Sequence, residues 1–158
     1  MQTVHLICIG KLKESYLREA CAEYQKRLSA FCRLNLIELP EYRLPAEPGS
    51  AEIARGIAAE GREIRAKCSG YQIPLCIEGK QLSSEELAEV FRRLALEGRS
   101  EISLIIGGSY GLAEEVKAAA GLRLSLSRMT FPHQLARVLL LEQVYRAFQI
   151  NSNGKYHK

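Results

Sequence analysis

The chain has 158 residues, carries 22 Lys and Arg against 18 acidic residues for a net charge of +4, and contains no Trp. A chain of this length is one domain's worth and can bury a real core, while its charge falls short of what a dedicated nucleic-acid binder usually shows yet permits an anionic partner met on one face. All 18 acidic residues are Glu, so an EF-hand loop, an Asp-containing Ser-His-Asp triad and a Walker-type Asp on magnesium are excluded unless Glu substitutes.

Strand and helix signals alternate along the whole chain. Val4 to Ile9 reads as a strand, Glu14 to Phe31 as an amphipathic helix and Leu34 to Leu39 as a second strand. The stretch EYRLPAEPGS, with two of the five prolines, is a loop. A helix follows from about Ala51, capped by Ser50 and closed near Gly70; Ile73 to Ile77 is a strand. Ser83 with Glu86 makes a capping box that opens a helix stopping at Gly98, and Ile102 to Ile106 is a buried strand. Gly107, Gly108 and Gly111 turn the chain into a short helix ending at Gly121. A strand at Leu124 to Ser127 then runs through the loop SRMTFPH into a long terminal helix, with Pro132 where that helix begins. Five strands alternating with five helices predict a single α/β domain, a mostly parallel sheet sandwiched by helices.

The terminal helix carries almost no polar face, which predicts burial on both sides and, in so small a protein, contact with a second subunit. Its longest uninterrupted aliphatic run, Val138 to Leu141, is far short of the ~20 residues that cross a bilayer, so no membrane contact is expected and the protein is read as cytoplasmic and unprocessed. The five cysteines, Cys8, Cys21, Cys32, Cys68 and Cys76, are odd in number and form no CxxC pair. They read as reduced buried thiols, with neither a disulfide frame nor a metal site.

Three loops leave predicted strand ends: LCIEGK (Leu75 to Lys80), IGGSYG (Ile106 to Gly111) and LSRMTFPH (Leu126 to His133). At the ends of adjacent parallel strands they would meet at one sheet edge, where open α/β sheets bind ligands. Leu75, Leu126, Met129 and Phe131 with backbone polar groups suit a flat neutral ring such as adenine. The first strand lacks G-x-G-x-x-G, and Gly79-Lys80 lacks the upstream glycine of a phosphate loop, so an ordinary nucleotide fold is excluded. Gly107 to Gly111 also matches G-x-S-x-G with Ser109 as nucleophile, a weak pattern that would need one of the later histidines, His133 or His157, and a Glu in place of Asp. His133, beside Pro132, reads as a cap or core histidine. Glu142 and Arg146 are spaced for an intrahelical pair, and with Arg137 they are placed to line an interface or an active cleft. The tail, residues 151–158, has the composition of a mobile end, yet Tyr156, His157 and Lys158 combine a stacking ring, a group titrating near neutrality and a cation, which suits an RNA base and its phosphate.

The segments GKLKE, IGGSYG, SLSRMTFPHQLARVLLLEQVYRAF and the terminal YHK together resemble the ribosomal RNA large subunit methyltransferase H family, over essentially all 158 residues. That family belongs to the SPOUT class of S-adenosylmethionine (SAM)-dependent methyltransferases. The resemblance implies a single SPOUT α/β domain over residues 1–158 with a C-terminal trefoil knot, a homodimer, and SAM held by the three loops. Carried over by motif, the cofactor contacts are Leu75, Gly107, Leu126, Ser127, Arg128, Met129, Thr130 and Phe131. The implied reaction is methylation of N3 of a pseudouridine in 23S rRNA within the assembled ribosome. His157 with Tyr156, in a functional tail at residues 151–158, are the expected catalytic groups, with Glu142 as second choice and the subunit that supplies the tail left open. Two rivals remain: a non-catalytic ribosome-binding factor and a serine hydrolase using Ser109.

Overall fold

The computed structural model describes residues 1–158 as β1 (Thr3–Ile9), α1 (Ser15–Leu28), β2 (Arg33–Leu39), α2 (Ser50–Lys67), β3 (Tyr71–Gln81), α3 (Ser84–Leu96), β4 (Glu101–Ile106), α4 (Glu114–Ala118), β5 (Leu124–Ser125) and α5 (His133–Asn151). The five strands form one sheet in the order β2-β1-β4-β3-β5, and every strand pair is parallel. β1 and β4 are central, which accounts for their near-continuous apolar sequences: both of their faces are covered. On one face Val4, Leu6, Ile102 and Leu104 pack with α1, α3 and α5. On the other, Ile7, Ile9 and Ile105 meet Ile64 of α2 and Val116 of α4. The expected α/β sandwich is the observed one.

Local chemistry sets the element ends. The Ser83 hydroxyl accepts from the Glu86 amide at 3.0 Å and Glu86 accepts from the Ser83 amide at 2.8 Å, so α3 opens on the expected capping box. α2 begins one residue earlier than read, with Gly49 at the cap position and its amide donating to Glu52 at 3.1 Å; Ser50 is the first helical residue. α1 closes at Leu28, before Phe31, where Ser29 donates its hydroxyl to the Lys26 carbonyl at 2.6 Å. β5 is two residues long, against the four expected. The Ser125 hydroxyl donates to the Ser127 carbonyl at 3.1 Å, and the Ser127 hydroxyl accepts from the Met129 amide at 2.9 Å. These local bonds take the chain out of the sheet before Leu126 can pair.

β3 is longer than expected and bulged. Leu124 is in register with both Leu75 and Lys80, so residues 76–79 loop out between two pairings with β5. Gly79 permits this: a Cβ there would lie 2.8–2.9 Å from the backbone of Leu124 and Arg123. The bulge leaves Ile77 77% exposed.

α5 was expected to be buried on one side within the chain and to meet a second subunit on the other. Within one chain it buries a stripe, Ala136, Arg137, Leu140, Leu141, Val144 and Ala147, as it lies between α1 and α3; its remaining residues are half-buried apart from Leu135 and Asn151, which are exposed. Arg137 was read as lining an interface or a cleft, and instead it is 1% exposed. Its guanidinium pairs with Glu38 of β2 at 2.5 Å and donates to the Gly10 carbonyl at 3.1 Å. The surroundings are dry: burial pushes the Cys8 thiol up to about 12 even beside this positive charge.

Removing one partner of a buried ion pair strands the other. Arg137→Ala is expected to cost about 3 kcal/mol, the lower end of the range because the Glu38 side chain is 31% exposed. Urea unfolding of the variant checks this, and a midpoint unchanged from wild type would show that the pair does not hold α5.

Candidate active site

The three loops meet. At the carboxyl edge of β3, β4 and β5, Leu75, Cys76 and Ile77, then Ile106 to Ser109 with Gly111 and Leu112, then Leu124 to Ser127 with Met129 to His133, surround a cavity of about 400 Å³ closed beneath by Ala136. That volume lies in the range of small-ligand sites, roughly 300–1,000 Å³. Its wall is largely apolar, from Leu75, Ile77, Leu112, Leu126, Met129 and Phe131.

Glycine shapes the middle loop. A Cβ on Gly107 would approach Leu112 to 2.8 Å and the Gly111 carbonyl to 3.0 Å, and Gly111, at φ +90°, closes a tight turn whose amide donates to the Gly108 carbonyl at 3.1 Å. The Ser109 hydroxyl sits on this turn and hydrogen-bonds no histidine; His157 is engaged elsewhere. On the neighbouring side Glu60 accepts from the Tyr42 amide at 2.9 Å, and burial raises its carboxyl above the usual range.

Of the expected cofactor contacts, Leu75, Gly107, Leu126, Ser127, Met129, Thr130 and Phe131 border the cavity. Arg128 lies on the same loop with an exposed side chain and is not part of the wall. Leu112, His133 and Ala136 were not foreseen as wall residues. His133 is the first residue of α5, so Pro132 holds it at the mouth of the cavity. Leu112 and Ala136 are ordinary core types in sequence, and only the packing brings them here.

A second cavity, of about 490 Å³, adjoins the first along the same loop, between α3 and α5. It shares Leu124, Ser125, Leu126, Ser127 and Phe131 with the first and adds Leu82, Ser83, Ser84, Leu87, Leu139, Glu142 and Gln143. Glu142 therefore faces a cavity as well as forming the foreseen pair with Arg146, at 2.7 Å.

The tail is built onto this region. Asn153, at φ +58°, and the Gly154 amide bonded to the Gln149 carbonyl at 2.8 Å reverse the chain after α5. Tyr156 then sets its ring against the edge of Tyr145, centroids 4.8 Å apart, with the Arg146 guanidinium 4.7 Å from its centre. His157 bonds Arg146 through Nδ1 at 3.0 Å and Glu85 of α3 through Nε2 at 2.5 Å. Tyr156, His157 and Glu142 thus converge on one guanidinium, whose charge the bond to Glu142 further stabilises. The hydrogen bond from His157 holds the Glu85 carboxyl below its usual range. Nothing in the sequence marked Glu85 as a partner of the tail, since the two are 72 positions apart.

A family model described as a predicted SPOUT methyltransferase matches residues 1–157. A ribosomal RNA large subunit methyltransferase H from Clostridium novyi (strain NT) is 50% identical over 157 residues, 98% of this chain and 99% of that protein. Among solved structures, a probable methylase family protein from Haemophilus influenzae Rd KW20 superposes with a TM-score of 0.56 at 16% identity, over 98% of this chain and 70% of the other. A putative methyltransferase from Legionella pneumophila, solved in complex with the bound cofactor SAM, gives a TM-score of 0.51 at 12% identity, over 95% of this chain and 66% of the other. At those identities the structural likenesses establish the fold.

The tail contact has a definite pH sense. A carboxylate held below its ordinary value contributes stability above that value and loses it as pH falls through the lowered one. The Glu85–His157 contact is therefore expected to persist as pH falls to the ordinary glutamate range and to be lost only below it. Ring resonances of Tyr156 and His157 report this by NMR, and Glu85→Ala should release them at neutral pH; resonances indifferent to that substitution would rule out the docking contact.

Proposed function

Because the chain belongs to the SPOUT methyltransferase family, we propose that it transfers a methyl group from SAM to N3 of a pseudouridine in the 23S rRNA of the assembled ribosome. The observation that carries this reading is the meeting of the three loops in one apolar cavity that shares a wall with a polar one lined by Glu142. The half identity to a ribosomal RNA large subunit methyltransferase H, along the full length of both chains, supports the substrate class. The precise nucleoside and the ribosomal context come from the family likeness.

The first cavity fits the cofactor. Its apolar wall accepts a flat ring, and the close turn at Gly107 to Gly111 brings backbone next to the space in a way a side chain at Gly107 would obstruct. When bound, SAM supplies a methyl group on a sulfonium that leaves as a neutral thioether, so the chain's own residues have two tasks. They orient methyl and nitrogen for in-line approach, and they take the N3 proton. Leu75, Gly107, Leu126, Ser127, Met129, Thr130 and Phe131 are assigned to holding the cofactor, and Arg128, exposed on the same loop, to the rim.

His157 with Tyr156 are assigned to proton removal, and Glu142 is kept as the second candidate. One observation favours Glu142 in the arrangement described here. Both His157 ring nitrogens are engaged, by Arg146 and Glu85, so the tail must release one before the imidazole can take a proton. Glu142 keeps Oε2 with only a 3.5 Å contact to Arg146. A homodimer is part of the proposal: Leu135 on α5 and Ile77 and Met129 at the cavity mouth are large apolar side chains left 37%, 77% and 75% exposed. A trefoil knot in the path through residues 126–132 and a cytoplasmic site of action belong to the same reading; no helix of the chain is long and apolar enough to cross a membrane.

Ribosomes lacking the modification, incubated with methyl-labelled SAM and then mapped, test the assignment. Loss of a general base lowers rates typically about 10²–10⁴-fold, so His157→Ala is expected to lose that much with SAM affinity intact, and wild-type rates from His157→Ala and Tyr156→Phe would pass the role to Glu142. Gly107→Val, whose side chain would run into Leu112 and the Gly111 carbonyl, is expected to abolish SAM binding by calorimetry. With a net charge of only +4, recognition should require a preformed target, so protein-free rRNA is expected to be a poor substrate; equal rates on rRNA and on ribosomes would reject that. Binding to ribosomes without affinity for SAM would favour a non-catalytic factor, and labelling of Ser109 by a fluorophosphonate would revive the hydrolase.

A further inference from the structure

We infer that the cavity between α3 and α5 is the pocket for the acceptor base, that it is shaped for a uracil-type imide ring, and that Ser84 and Gln143 are the residues that discriminate that ring; this deepens the methyltransferase reading above and rests on it. The pocket is about 490 Å³ and borders the same loop, Leu124 to Ser127 with Phe131, that walls the cofactor cavity. A ring held here and a ligand held there are thus set against one short segment that both cavities share. Apolar Leu82, Leu87, Leu126, Phe131 and Leu139 provide surface for a planar face, while the polar groups lie together on α5 and at the start of α3.

Most of those polar groups are committed to each other. The Ser83 hydroxyl caps α3, the Ser125 hydroxyl donates to the Ser127 carbonyl, and the Ser127 hydroxyl accepts from the Met129 amide. The Ser84 hydroxyl donates to Gln143 Oε1 at 2.6 Å, which turns the amide so that Nε2 faces Glu142 Oε1 at 3.4 Å. The opposite amide orientation would set an oxygen against a carboxylate oxygen, so Ser84 and Glu142 fix the same choice from two sides. Arg146 occupies Oε1 of Glu142 at 2.7 Å and reaches Oε2 only at 3.5 Å. Gln143 keeps a second N–H, and Glu142 keeps Oε2 with only that long contact, so a donor and an acceptor are left on neighbouring residues of α5.

A donor beside a carboxylate acceptor complements an imide edge, where a carbonyl oxygen adjoins an N–H. With its ring nitrogen set at Glu142 a cytosine-type edge would point a lone pair at the carboxylate, and an edge shifted so that its exocyclic amine meets Glu142 would hold that amine, and not the ring nitrogen, at the carboxylate. The same pairing brings the imide N–H to Glu142, which agrees with methylation at that nitrogen.

Full-length wild type, Gln143→Glu, Gln143→Leu and Ser84→Ala are compared for SAM affinity by calorimetry and for label transfer to ribosomes lacking the modification. Gln143→Glu keeps the size of the side chain and replaces the donor by a second carboxylate. Both Gln143 variants are expected to keep SAM affinity within about twofold and to lose at least about tenfold in kcat/KM for the ribosome, the scale of one hydrogen bond to a charged or buried group, with Gln143→Glu the worse. Ser84→Ala, which frees the amide to rotate, should lose less and in the same direction. Wild-type kcat/KM in the Gln143 variants would overturn the inference. So would a parallel loss of SAM affinity, which would assign Gln143 to the cofactor wall or to the fold. A wild-type protein that transfers no label to ribosomes would instead bring down the rRNA reading itself, and this pocket assignment with it.

Discussion

The buried guanidinium of Arg137 is the constraint on which the site depends. A cation taken out of water must find its partners within a few ångströms, and here they are Glu38 on β2 and the carbonyl of Gly10 after β1. α5 is thereby anchored at Arg137 to β2, which stands at the opposite edge of the sheet from β5, the strand that precedes the helix. The chain between them, residues 126–132, must cross from the β5 edge over the ends of the central strands, and residues of that crossing line both cavities. One turn before Arg137 stands His133 at the mouth of the first cavity, and beyond it on the same helix stand Glu142 and Gln143 in the second.

Local features then decide the shape of that crossing. The bulge at residues 76–79 and the double pairing of Leu124 bring β5 back against β3, while the serine hydroxyls of Ser125 and Ser127 end the strand early. The loop is therefore held by its own short bonds as well as by α5. A loop held in this way keeps its position against whatever occupies either cavity, which is what a transfer in a single geometry requires.

The second cavity is tied to the chain end through charge. Arg146 holds Glu142, the ring of Tyr156 and Nδ1 of His157, and Glu85 holds the other ring nitrogen. Any movement of the tail changes what Arg146 does to Glu142, so the tail and the carboxylate act as one electrostatic unit. Ile77 and Met129 at the first cavity, and Leu135 at the start of α5, leave apolar side chains open to solvent.

Much of this was legible in the chain itself. The period of the apolar residues, the capping box at Ser83 and the glycines at strand ends specify five strands and five helices, because these are short-range effects of backbone sterics and hydrogen bonding. The same reasoning placed three loops at one edge, and all but Arg128 of the residues expected from them border one cavity. What the sequence could not carry were relations between distant positions. Arg137 reads as one more charge on an apolar helix until its 99-residue separation from Glu38 is closed by the fold, and the tail reads as a mobile end until Glu85 and Arg146 stand beside it. Even the apolar girth of α5, read as burial on both sides, divides into a buried stripe and an open flank only when α1 and α3 are in place. Periodicity fixes which face of an element is apolar; what that face meets depends on long-range packing, and the tertiary structure alone decides it.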